Sequence, residues 1–149
     1  MSVREINRND DVFVGIEFPL DHNLTGFFRQ SKTIPQQVKS NIKNLLLTSK
    51  GERVFQPNFG CDLKNVIFEQ IDIQSLDEVD ESIREALSTW LPYVNINDLI
   101  IVQNESNPNE ITISLEYSTA LQPDALDNIT FNLVVGAVSY THLTLPTTP

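Results

Sequence analysis

The sequence predicts an α+β domain: a small antiparallel β-meander covered by two main α-helices, with an N-terminal strand and a short helix after a central loop. Three observations carry that prediction. Apolar residues recur at helical spacing in two stretches, Ile34 to Leu46 and Val79 to Leu91. Apolar and polar residues alternate in the last third of the chain, around Ile111 to Tyr117 and Ile129 to Val135. Turn-forming clusters at Asn107-Pro108-Asn109 and Gln122-Pro123-Asp124 separate these runs, as a meander requires.

Taken in order, Met1 to Asp11 is polar and reads as a flexible N-terminus, with no apolar segment of a secretory leader. Val12, Val14, Ile16 and Phe18 then form one apolar face of a short strand stopped by Pro19. Residues 20–32 are turn-rich, with Gly26-Phe27-Phe28 as a local anchor. Thr33 is placed as an N-cap, with Pro35 in the first turn, where its missing N–H costs nothing. Val38, Ile42, Leu45 and Leu46 continue the buried stripe, and Lys50 and Gly51 read as the end of that helix.

The central loop, Lys50 to Leu63, holds most of the turn chemistry: Gly51, Pro57 and Gly60, with Phe55 and Phe59 expected as anchors into the core. Leu63, Val66, Ile67 and Phe68 suggest one or two helical turns. Ser75-Leu76-Asp77-Glu78 has the form of a capping box, opening a helix that Pro92 stops. Its buried stripe is Val79, Ile83, Ala86, Leu87, Trp90 and Leu91, with Glu81, Arg84 and Glu85 on the wet side. Leu99 to Gln103 begins the meander. The final segment, residues 137–149, has no charge apart from His142. From Val138 to Thr147 it looks like the translated read-through of a sequencing-library adapter, so it is set aside and the domain is taken as residues 12–136.

Composition narrows the function classes. A chain of 149 residues, 40% apolar and 20% charged, supports one ordinary core. The net charge of −10 argues against nucleic acid or an anionic membrane and suits docking on basic protein surfaces. Cys61 stands alone, so no intrachain disulfide can form, which points to a reducing compartment. No apolar run approaches the roughly 20 residues of a membrane helix. With His142 set aside, His22 is the one histidine, too little for a zinc cluster or a histidine-based triad. The acidic residues do not follow a calcium-loop spacing, and no phosphate-cradling glycine motif is present.

Glu52 beside Phe55, with Asp62 or Glu69, could be nominated as a glycosidase pair. Arg53 next to Glu52 would favour the charged carboxylate, the wrong state for a general acid.

The motif Gly51-Glu52-Arg53-Val54-x-x-Pro57-x-Phe59-Gly60-Cys61-Asp62-Leu63, followed by Ile67-Phe68-Glu69, resembles the baseplate wedge family of contractile-tailed phages. That family is also labelled GPW-type or "acidic lysozyme" and includes the baseplate subunit of type VI secretion systems. The likeness extends to Gly15-x-x-Phe18-Pro19-Leu20, to Val38 through Thr48 and to the helix from Ser75 to Trp90. Gln56 and Asn58 depart mildly from the family pattern, which has Arg or a similar residue and an acidic residue there.

The resemblance implies a non-enzymatic virion component of the tail baseplate, made in the host bacterial cytoplasm. It would join the inner baseplate to the first sheath ring and template the sheath through an open sheet edge. Its implied partners are other baseplate wedge proteins and the tail sheath protein, with no metal, cofactor, small-molecule ligand, nucleic acid or membrane. By motif match, Glu52, Arg53, Pro57, Phe59 and Gly60 form the docking loop. Arg53 is either an anchor on a neighbour or the partner of Glu52 or another carboxylate. The alternatives are a peptidoglycan-degrading tail lysozyme and an unrelated acidic adaptor.

Overall fold

The computed structural model of the chain describes residues 13–17, 20, 28–63 and 73–134. The elements are β1 (Gly15–Ile16), β2 (Gln30–Ser31), α1 (Ile34–Leu47), α2 (Ile73–Trp90), β3 (Val94–Gln103), β4 (Glu110–Thr119) and β5 (Gln122–Val134). The strands form two sheets, β1-β2 and the antiparallel meander β3-β4-β5. The α+β class and the meander are therefore present. The flexible terminus, His22, Gly26 and Phe27, the short helix after Leu63 and the tail from residue 137 lie outside the described residues.

Among the described residues the N-terminal strand is shorter than its alternation suggests, and the two described members of its apolar face lie outside the core. Val14 and Ile16 are 37% and 49% exposed. What holds the ribbon is polar. Val14 N–H donates to the Ser31 carbonyl and Glu17 N–H to that of Arg29, at 2.8 and 2.9 Å. The fully buried Ser31 donates its hydroxyl to Gln37 Oε1. Gln37 donates in turn to Asn41 (2.8 Å), and Asn41 to the Tyr93 hydroxyl (3.1 Å). This row ties the ribbon to α1 and to the turn before β3. Phe28, expected as an anchor, is 46% exposed.

Local chemistry sets α1. Thr33 is an extended N-cap whose hydroxyl accepts from Gln36 N–H, while the Gln36 side chain accepts from Thr33 N–H, and Pro35 sits in the first turn. The helix ends at Leu47 with Thr48 extended as C-cap, three residues before the end that Lys50 and Gly51 suggested. α2 starts at Ile73, so Ser75 lies inside the helix rather than capping it, and no acidic residue falls in its first turn. Its C-terminal stop is as expected: Leu91 N–H still reaches the Leu87 carbonyl, and Pro92 follows in a turn.

In the meander every other residue of β4, from Ile111 through Ile113 and Leu115 to Tyr117, is buried. Each faces Leu133, Phe131, Ile129 or Asp127 of β5. Val38, Ile42, Leu45 and Leu46 of α1 and Val79, Ile83, Ala86 and Leu87 of α2 complete the core. Each such Val, Ile or Leu contributes about 1.5–3 kcal/mol on burial, against about 1 kcal/mol for a typical hydrogen bond. The core layer therefore dominates stability, and the polar ribbon adds little. β3 and β5 are longer than predicted. Gln122-Pro123-Asp124, expected as a connection, is already strand: among the described residues β5 is an edge, and Pro123 falls where the β4–β5 register shifts, so it removes no needed donor.

Candidate docking loop

α1 ends at Leu47, and three of the backbone hydrogen bonds within residues 48–63 shape the loop that follows. Gly51 N–H bonds to the Pro57 carbonyl at 2.6 Å, closing residues 51–57 into a loop. Phe59 N–H bonds to Gln56 O at 3.0 Å, and Cys61 N–H returns to Thr48 O at 2.9 Å. Both glycines are required, for different reasons. Gly51 (φ +85°) has open space around it and needs only the left-handed conformation, which belongs to the turn after α1. Gly60 (φ +121°) is also packed so closely that a Cβ would lie 2.4 Å from the Thr48 carbonyl oxygen.

The two cations of the loop are engaged by their own domain. Arg53 stacks its guanidinium 3.9 Å from the centre of the Phe59 ring and donates to Asn44 Oδ1 at 3.2 Å. Phe59 meets Trp90 edge to face, with centroids 5.1 Å apart. Lys50 lies 3.8 Å from Glu85 on α2. A cleft of about 250 Å³ opens beside this stack, lined by Lys50, Asn58, Gly60, Glu85, Ala86, Thr89 and Trp90. Cys61 is buried with its sulfur 3.3 Å from the Ser82 hydroxyl; burial pushes its thiol pKa up, which keeps it protonated and inert.

The predicted site residues thus divide. Phe59, Arg53 and Gly60 come together and build the loop from within, whereas Pro57 and Glu52 are exposed. Glu52 accepts from Ser49 N–H at 2.9 Å. Among the described residues neither it nor any other carboxylate pairs with Arg53, so the intramolecular ion pair is replaced by a stack and a neutral hydrogen bond. Glu52 is exposed rather than set in the apolar pocket that a glycosidase acid would need. Phe55 corrects the expectation most sharply: it is 97% exposed and Val54 89%, so neither anchors the loop in the core. Asn44 and Trp90 are members that sequence reasoning missed, because their contacts span the loop.

A sequence profile for the baseplate wedge protein gp25 family matches residues 32–124, which takes in the loop, both helices and most of the meander. The chain belongs to this family. The baseplate wedge protein gp25 of Enterobacteria phage T4 is 25% identical over 101 residues, covering 66% of this chain and 74% of the phage protein. A Geobacter sulfurreducens protein described as a candidate tail lysozyme superposes with a TM-score of 0.64 at 22% identity, over 72% of this chain and 96% of that one. A chain from a type VI secretion baseplate complex gives 0.58 at 14%, over 70% and 95%. One from the anti-feeding prophage baseplate gives 0.54 at 18%, over 88% and 92%. At these identities the three solved structures show the shared fold. The family match makes this chain a structural baseplate protein.

Proposed function

We propose that the chain is a wedge component of a contractile injection particle such as a phage tail. It links the inner baseplate to the first sheath ring and templates sheath assembly, within the virion after synthesis in the host cytoplasm. The family match over both helices and the loop is the observation that carries this reading. Its partners are other wedge proteins, engaged by the loop of Glu52, Arg53, Pro57, Phe59 and Gly60, and the tail sheath protein. For the sheath, support comes from the meander: among the described residues the outer edges of β3 and β5 pair with no further strand, which suits strand addition through main-chain hydrogen bonds.

Arg53→Ala tests the loop. Loss of the stack on Phe59 and the bond to Asn44 is expected to cost about 1 kcal/mol of stability. The folded variant should fail to join wedge complexes in a co-assembly assay. Normal assembly by this variant would remove Arg53 as an anchor from the reading. A turbidity assay on bacterial cell walls tests the lysozyme alternative: clearing that disappears in Glu52→Gln would replace the structural role with hydrolysis.

A further inference from the structure

Within the docking loop, Arg53, Phe59 and Gly60 of the family motif are turned inward, while Val54 of the motif and the adjacent Phe55 are turned outward. Phe55 at 97% and Val54 at 89% exposure are the most exposed of the large apolar side chains described. They sit at the apex of the loop closed by the Gly51–Pro57 bond. The support beneath them is already fixed: Arg53 lies on Phe59, Phe59 on Trp90, and Cys61 returns to Thr48. A rigid loop that holds an aromatic in solvent loses little conformational freedom when that aromatic is buried by a partner. Because Lys50 pairs with Glu85 and Arg53 is stacked, Glu52 is the charge beside the apex left facing solvent. No Lys or Arg occurs after Arg84 in the whole sequence, so the wider surface is acidic too.

We propose that Phe55, with Val54 beside it, is the anchor of the loop and enters an apolar socket rimmed by Lys or Arg on a neighbouring baseplate protein. The inference rests on the structural baseplate reading above. A bilayer is the poorer occupant, since its anionic headgroups would face the same negative surface.

The test measures affinity of the full chain for the purified wedge proteins of its own particle, alongside thermal melting. Phe55→Ala should melt with the native protein and bind at least about thirty-fold more weakly. Phe55→Leu should retain most of the binding. Binding of the native chain should weaken between about 0.05 M and about 0.5 M salt, reflecting the basic rim. A benzoylphenylalanine placed at position 55 should crosslink, in assembled baseplates, to a segment carrying apolar and basic residues. Native-like binding by Phe55→Ala, while the native chain binds its wedge proteins, would sink this anchor and leave the baseplate role standing. A crosslink to a second copy of this chain, or sedimentation with phosphatidylglycerol vesicles that Phe55→Ala abolishes, would assign the apex to another occupant. A native chain that binds no wedge protein would overturn both readings.

Discussion

β4 and the loop between the helices are held by different physics. Four side chains of β4 are sealed between strand neighbours and two helices, and area removed from water does the stabilising. The loop is held by backbone bonds, two positive-φ glycines and a cation on an aromatic ring, while it leaves two large apolar groups in solvent. The first arrangement makes a domain stable. The second holds a surface in one shape, at little gain in stability.

Three experiments sharpen or break that contrast. Ile113→Ala, at a fully buried site in the central strand, should cost about 2–5 kcal/mol in urea unfolding. A loss below about 1 kcal/mol would mean the layer is not the seat of stability. In the loop, Gly60→Ala should cost about 1–3 kcal/mol, because both conformation and space oppose a methyl group. Gly51→Ala, with room for the methyl, should cost only about 1 kcal/mol. Equal losses would show that the close approach to Thr48 is not what Gly60 serves.

The smallest effect is expected with pH. Tyr117 is held above its ordinary pKa of 10.0 by burial and by Asp127, which also accepts its hydrogen bond, and Cys61 is held above 9.0 by burial. A raised folded-state value stabilises the domain fully below the ordinary value and is lost as pH climbs toward the folded one. Unfolding midpoints should therefore show no loss from these groups below about pH 9 and fall above it. Tyr117→Phe should flatten part of that fall; an unchanged alkaline limb would exclude the phenol.

What the sequence disclosed follows the range of the interactions. The Thr33 cap was legible because its partners lie within one turn. The same short-range logic misled at Ser75, where a serine and a glutamate three apart occur inside a helix that had already begun. Pro123 suggested a break because a sequence does not say which strand will be an edge. Composition does not tell Phe55 from Phe59: Trp90 meets Phe59, while Phe55 stays 97% exposed, and tertiary packing decides. The motif of the loop was legible in the sequence, whereas the inward turn of Arg53 depended on Asn44, nine positions upstream.

The Thr48 junction has a mechanical corollary. Its carbonyl receives Cys61 N–H and its hydroxyl donates to the Asn44 carbonyl, so a single residue clamps the end of α1 to the far side of the loop. A pull on the apex would meet that clamp, with Gly60 as the close-fitting pin against Thr48, before it could peel the loop open.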